Sequence, residues 1–276
     1  MYIILSPSKS QNFSRNFEEN LDFKKTEFLK ETKSLHTILK NLSEKDLEKL
    51  MKISPKLAGL NFGRFQKWND DFLKRKKERA EGALPEEIPY NFSPAIFAFT
   101  GDVYGGFDLE NWKKNDFNFA EKHLGILSGF YGLITPLDFI KPYRLEMGTK
   151  LSFEIKNKLY KNLYEFWEEK ITKKIDYILS KEKVLINLAS MEYSKSINRN
   201  KLSEKVKIID IEFKIKKGER ISIIAIYAKK ARGEMANWII KNRIKNIKDL
   251  ENFSESGWKF SKKESVKNKL VFIKKI

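Results

Sequence analysis

Between Leu124 and Leu151 the chain reads LGILSGFYGLITPLDFIKPYRLEMGTKL, and this stretch limits the possible fold more than any other. Leu124–Leu127 is a short apolar run closed by Ser128-Gly129, the pattern of a buried strand entering a tight turn. Gly132, Pro136, Pro142 and Gly148 then forbid a long helix, while Phe130, Tyr131, Leu133, Leu137, Phe139, Ile140 and Tyr143 are too apolar for a free loop. A packed loop ending at a helix start meets both demands. Asp138, Lys141, Arg144 and Glu146 lie inside it, and each needs a partner, because burying an unpaired charge is expensive. Packed, partly charged loops that follow strands commonly build binding sites.

Tyr2–Leu5 predicts a strand that ends directly in Ser6-Pro7-Ser8-Lys9-Ser10, and residues 21–42 carry Leu21, Phe28, Leu35, Ile38, Leu39 and Leu42 at helical spacing. Ser43 with Asp46 three residues on predicts a capped helix ending near Lys52-Ile53. Ser54-Pro55 predicts a second N-cap, with a helix through Leu57, Phe65, Trp68 and Phe72. Two helices on so short a turn make a helix–hairpin–helix candidate at about residues 43–73. Such a hairpin can direct backbone N–H groups at a phosphate, and Lys52, Ser54, Lys56, Arg64 and Lys67 are its candidate DNA contacts. The turn has no glycine, which phosphate-cradling hairpins usually have, so an ordinary αα corner is the competing reading.

Beyond it, the basic run Lys74–Arg79 reads as a solvated helix end and Gly82–Pro94 as a connection. Ala95–Phe99 predicts a buried strand leading into Thr100-Gly101-Asp102-Val103-Tyr104-Gly105-Gly106, which is neither a GxGxxG nor a Walker loop. Phe153–Leu179 predicts a long amphipathic helix and Val184–Leu188 a strand ending in a polar run. Lys207–Phe213 and Arg220–Tyr227 predict paired strands, followed by a helix carrying Met235, Ile239 and Ile240; Leu270–Ile273 predicts a last strand.

Five predicted strands, ending at Leu5, Phe99, Leu127, Leu188 and Tyr227, thus give way to loops mixing small and polar residues. In open sheets alternating with helices, ligands bind outside the carboxyl ends of the strands. If the five are neighbours, their loops line one cleft: Ser6, Lys9, Thr100, Tyr104, Ser128, Tyr131, Tyr143, Arg144, Glu146, Asn187, Ser190, Glu192, Tyr193, Lys229 and Arg232. Lys9, Arg144, Lys229 and Arg232 suit phosphate. The tyrosines suit base stacking, and Glu146 and Glu192 are the candidate acid or base. Each residue taken singly has a structural explanation; the repetition across strand ends is what points to a site.

Composition narrows the chemistry. With 276 residues, 41% of them hydrophobic, the chain can bury a sizeable core, read here as a single domain, 1–276. There is no cysteine, which removes thiolate nucleophiles, Cys-based zinc sites and disulfide frameworks, and a Ser-His-Asp mechanism would need His36 or His123. No segment approaches the ~20 apolar residues of a membrane helix, so no membrane partner and a cytoplasmic location are expected. A formal net charge of +18 favours a polyanion, although many lysines can equally be solvated surface.

At these same positions the sequence resembles the YaaA family of peroxide stress-response proteins. The motifs that carry the resemblance are ILSPSKS, FTGDVYGG, LSGFYGLITPLDFIKPYRLEMGTKL, LINLASMEYSKSI and KKARGEMANWII, with LEKLMKISPKLAGLNFGRFQKW similar to the family's helix–hairpin–helix region. The resemblance implies a mixed α/β fold peculiar to the family, a central mixed sheet flanked by helices, with a positively charged cleft beside the hairpin. It also implies DNA binding, protection against oxidative damage and an association with lowered free intracellular iron. Lys52–Lys56 would contact the DNA backbone and Lys9, Arg144, Lys229 and Arg232 would line the cleft. The family brings no agreed reaction, so no catalytic residue is carried over, and no cofactor or metal is expected. The alternative is an enzyme whose cleft takes a nucleotide-like ligand or a nucleic-acid base.

Overall fold

The computed structural model describes residues 1–14, 21–71 and 92–276. In chain order its strands are β1 (Tyr2–Leu5), β2 (Ser93–Pro94), β3 (Leu124–Ser128), β4 (Gly132–Ile134), β5 (Phe139–Ile140), β6 (Phe153–Ile155), β7 (Lys158–Tyr160), β8 (Val184–Asn187), β9 (Lys207–Lys217), β10 (Arg220–Ser222), β11 (Lys259–Phe260) and β12 (Lys269–Lys275). Eight of them form one mixed sheet ordered β11-β12-β9-β8-β1-β3-β4, with β10 paired to β9 beside that path. β1 runs parallel to both its neighbours, β3 and β8, and the parallel run continues through β9 to β12. β4, β10 and β11 are antiparallel to their partners.

Every residue of β1 and β3 is buried, as expected of parallel strands covered on both faces. The helix Leu163–Glu182 packs on β1, β4 and β8, and the helix Lys114–His123 packs on β1 and β3. One hydrophobic cluster runs from Met1 to Phe272 through these layers. Trp167, wholly buried, hangs the central stretch on the long helix by donating its indole N–H to the Gly129 carbonyl at 2.9 Å.

The central stretch is packed, but it is less irregular than its glycines and prolines suggest. β4 folds back on β3, and β5 pairs with β2. No helix starts at its end; Leu151 leads into the hairpin of β6 and β7. Lys156 and Asn157 turn that hairpin with φ of 52° and 61°, the two positive angles a type I′ turn demands. The long helix therefore begins only at Leu163, capped by Asn162, whose side chain accepts from the Glu165 N–H at 3.0 Å.

Three other elements differ from the sequence reading. Ala95–Ala98 is one buried helical turn after Pro94 and not a strand, a distinction that four apolar residues cannot carry by themselves. The helix expected over 21–42 is confined to Leu29–Lys40. The strand expected over Arg220–Tyr227 stops at Ser222, and a helix runs from Ala225 to Lys241 with Tyr227 in its first turn. Phe72, the basic run at 74–79 and most of the connection after Gly82 lie outside the described residues.

Candidate functional site

Because β1, β3 and β8 are adjacent and parallel, the loops after Leu5, Ser128 and Asn187 leave the same edge of the sheet. Hydrogen bonds stitch them together. The Ser190 N–H donates to Ser6 Oγ at 2.9 Å, and the Tyr104 hydroxyl donates to the Ser6 carbonyl at 3.0 Å. Ser128 Oγ accepts from the N–H groups of Phe130 and Tyr131 and lies 2.7 Å from the Tyr143 hydroxyl, which fixes the turn at the head of the central stretch. Thr100 joins through its N–H, bonded to the Ser10 carbonyl at 3.0 Å. Gly129 makes the stacking possible, since a Cβ there would stand 2.5 Å from the Leu145 carbonyl oxygen.

Charge gathers at this edge in an ordered way. The Glu146 carboxylate is held by Lys9 at 2.7 Å on one oxygen and by Arg144 at 3.2 Å on the other. Glu192 accepts from the Gly148 N–H at 2.9 Å, and its own carbonyl accepts from the Tyr164 hydroxyl at 2.9 Å. The Arg144 Nε is buried with no acceptor among the described residues. Ser6, Lys9, Tyr104, Ser128, Tyr143, Arg144, Glu146, Ser190 and Glu192 are thus drawn together by strand order and loop bonding.

The stacking role expected of the tyrosines does not survive this geometry. Tyr131 is 0% exposed, Tyr143 3%, Tyr104 5% and Tyr193 8%, so none presents a free face to an unstacked base. They form an aromatic floor, with Tyr131 and Tyr143 edge to face at 5.0 Å, and burial raises all four hydroxyl pKa values.

The remaining predicted residues stand apart. The loop Gly101–Gly106 packs on the helix Ala225–Lys241 so closely that a Cβ on Gly233 would fall 1.7 Å from the Val103 carbonyl oxygen. Lys229, exposed on that helix, reaches Asp102 at 3.9 Å. Arg232 and Asn187 line a different cavity, of about 320 Å³, together with Ala228, Ser194, Arg199 and Asp210. There Asp210 accepts both terminal nitrogens of Arg199 at 2.7 and 2.6 Å and the Asn187 amide at 2.6 Å. Arg232 has a buried Nε with no partner among the described residues, and burial lowers its affinity for its proton against the opposing pull of Glu212. The residues expected to line one cleft thus fall in two places, one group at the edge beside β1 and β3 and the other, Asn187 with Arg232, around this cavity.

The two helices Glu44–Met51 and Pro55–Lys67 are joined by the short turn the capping residues predict. Ser43 and Asp46 cap the helix Glu44–Met51 reciprocally, with N···O distances of 3.2 and 3.1 Å. Ser54 caps Pro55–Lys67. Lys52 takes the left-handed turn position, φ 52°, that a glycine commonly fills, so the hairpin closes without one. Phe65 and Trp68 anchor it: Phe65 meets Phe130 at 5.9 Å, and the Trp68 indole donates to the buried Tyr131 hydroxyl at 3.0 Å. Lys52, Ser54, Lys56 and Lys67 are exposed, Arg64 is half-buried, and among the described residues none of the four cations is in an ion pair. Nothing in this geometry by itself distinguishes a DNA-contacting hairpin from an αα corner.

Of the charges in the central stretch, Lys141 is buried against Asp71 at 2.7 Å and also bonds Asn69. Asp138 makes no ion pair among the described residues: burial, then the nearby Glu121 charge, pushes its pKa up to about 8 against the opposing charge of Lys24, and its buried Oδ1 has no hydrogen-bond partner among those residues. Both histidines are tied to backbone carbonyls, His36 to Phe65 and His123 to Met1. Gln11, which accepts the Tyr143 N–H at 3.1 Å, and Asp210 are site residues the sequence reading missed. Asp210 was findable, as an acid set inside the apolar run KIIDIEF. Among the described residues no three His, Cys, Asp or Glu side chains gather as a metal site, and no helix is long and apolar enough to cross a membrane.

Comparison with known proteins agrees with the motif resemblance. The family model described as peroxide stress protein YaaA matches residues 1–264. A UPF0246 protein of Acaryochloris marina (strain MBIC 11017) is 41% identical over 272 residues, 99% of each chain.

Proposed function

The chain belongs to the family of the peroxide stress protein YaaA, and from that premise we propose that it binds DNA during oxidative stress and limits damage to it. A cytoplasmic location and the lowered free iron implied by the family resemblance belong to the same proposal, and the latter calls for no iron site on this chain. The observation that carries the reading is the anchoring, beside the cation-rich edge of the sheet, of a helix pair whose exposed lysines make no ion pair among the described residues. Duplex DNA held this way is gripped through phosphates, with weak sequence preference and steep salt dependence. Since the tyrosines are buried, the reading gives them no part in holding an extruded base.

Fluorescence anisotropy with duplex, single-stranded and base-damaged DNA tests it. Binding to all three that collapses in moderate salt, and that is tighter than that of an unrelated protein of equal charge, is the expected result. Affinity no better than that of the charge-matched control would remove the DNA reading.

A second reading, a nucleotide-like ligand acted on in the cavity beside Asn187 and Arg232, is favoured by the buried, unpartnered Arg232 Nε in a space otherwise lined in part by Met191, Ile223 and Phe213. It predicts that Arg232→Ala abolishes protection of peroxide-treated cells while duplex affinity stays unchanged. Parallel loss of both would count against it.

A further inference from the structure

Two of the sequence motifs, FTGDVYGG and KKARGEMANWII, have no part in the hairpin reading, and they meet at a cavity of about 550 Å³. Gly101, Asp102 and Gly105 form one wall, the helix Ala225–Lys241 a second, and Trp258 with Lys274 of β12 a third. Its lining shares no residue with the cavity around Arg232. The first two walls are locked together, since a Cβ on Gly106 would stand 2.4 Å from the Glu234 backbone nitrogen. The volume falls within the range of about 300–1,000 Å³ that small-molecule sites occupy.

Ile226, Lys230 and Glu234 recur every four residues and so share one face of the helix, with Tyr227 beside the first. Glu234 is the deep group: its side chain is 11% exposed, while that of Lys230 is 61% exposed. Ser256 donates its hydroxyl to Glu234 Oε1 at 2.7 Å from a left-handed position, φ 53°, that residues with side chains seldom adopt. The second oxygen accepts no hydrogen bond among the described residues. Lys230 stops 3.7 Å from the carboxylate, beyond hydrogen-bond length, and it precedes the acid along the helix, the less favourable order. A carboxylate so withdrawn from water is left short of a close cation. Lys274, half-buried near the end of β12, makes no ion pair among the described residues.

We propose that this cavity binds a free α-amino acid with a large apolar side chain. The stripe on the helix matches the three parts of such a ligand. Its ammonium gives Glu234 the close cation it lacks, its carboxylate takes Lys230 and Lys274, and its side chain lies against Ile226, Tyr227 and Trp258. The two charged groups of the ligand sit on one carbon, and the 3.7 Å between the Lys230 and Glu234 heads lets each meet its own partner. A bare anion would leave Glu234 unanswered, and a bare amine would leave both lysines so. The site differs in kind from the phosphate contacts of the hairpin, and it stands whether or not the chain binds DNA.

The test is isothermal titration of the full chain with free L-phenylalanine, L-tyrosine, L-tryptophan and L-leucine, each compared with the matching amine that lacks the carboxylate and the matching acid that lacks the amine. Saturable one-to-one binding of at least one amino acid is expected, with its amine and acid weaker by roughly tenfold or more. Glu234→Gln keeps an acceptor for Ser256 and removes the charge, and it should cost a similar factor. Gly105→Leu fills space from the opposite wall, where a Cβ meets nothing within 4 Å, and it should abolish binding. If that variant melts low, Glu234→Gln decides alone. Duplex affinity should change in neither, so the DNA reading and this one fail separately. No saturable binding by the wild type would overturn the proposal, as would a matching amine or acid that binds equally well, or an unchanged affinity in Glu234→Gln. Loss of duplex affinity without loss of amino-acid binding would assign the cavity to DNA and overturn it too.

Discussion

The sheet edge and the helical hairpin are both rich in charge and handle it in opposite ways. At the edge and in the cavity near it, charges answer one another: Lys9 and Arg144 share Glu146 and Glu192 takes the Gly148 N–H, while in the cavity Arg199 and Asn187 share Asp210. On the hairpin, Lys52, Lys56 and Lys67 stand in solvent with no ion pair among the described residues. Surface lysines left unpaired cost the fold nothing and remain available to an external anion, whereas a closed network fixes geometry and spends most of its charge internally. The comparison teaches where to look for each role. Exposed lysines belong to the hairpin, whereas the guanidinium nitrogens left without an acceptor among the described residues are buried, Arg144 Nε at the edge and Arg232 Nε in the neighbouring cavity.

The severest way to break this contrast is at the tight packing of the edge. Gly233→Ala places a Cβ 1.7 Å from the Val103 carbonyl oxygen, and the backbone on both sides has no flexible atom to give way. A loss of about 3 kcal/mol or more is expected, read as a steep fall in melting temperature. A loss below about 1 kcal/mol would show that the Gly101–Gly106 loop can step back.

Next in size is the anchor between the regions. Trp68→Ala removes a buried ring and its bond to the Tyr131 hydroxyl, at a cost of roughly 3–5 kcal/mol. Hydrogen exchange should show protection lost across residues 44–67 while β1 and β3 keep theirs. Loss spread evenly over both regions would mean that they unfold as one unit.

Asp138 sharpens the contrast by titration. Its carboxyl is pushed up to about 8 by burial, while an unfolded Asp titrates near ~3.9. Between those values the folded protein keeps a proton that the unfolded chain releases, so this group makes stability fall as pH rises through that window. Asp138→Asn keeps an acceptor for the Thr135 N–H, bonded at 2.8 Å, and removes the titration. Its melting temperature should exceed that of the wild type at pH 8 and the advantage should vanish below pH ~4. An advantage constant with pH would point to packing instead of charge.

Parts of this were legible in the sequence for physical reasons. Ser43-x-x-Asp46 and Ser54-Pro55 are local capping signals, decided within four residues, and the starts of the two helices followed from them. The apolar run Leu124–Leu127 next to Ser128-Gly129 gave a strand and turn in the same way. The failures are places where distant contacts decide. Ala95–Ala98 forms a helical turn where a buried strand would read the same, and the hairpin at Lys156-Asn157 puts a lysine at positive φ, which its side chain does not announce. The site was partly readable, since Lys9, Arg144 and Glu146 were picked out and do meet. Burial of the tyrosines was not readable, because a Tyr at a strand end faces core or solvent according to packing alone.

The central claim is that the hairpin lysines grip phosphates while contributing little to the fold. Its most direct test is the salt dependence of duplex affinity for the wild type and for Lys52→Glu/Lys56→Glu. The account predicts an unchanged melting temperature, a large fall in affinity and a log–log slope shallower by about 2, as expected when two phosphate contacts and their released counterions are lost. An unchanged slope and affinity would contradict it, leaving the hairpin a structural corner and the net charge of +18 without a DNA partner at this site.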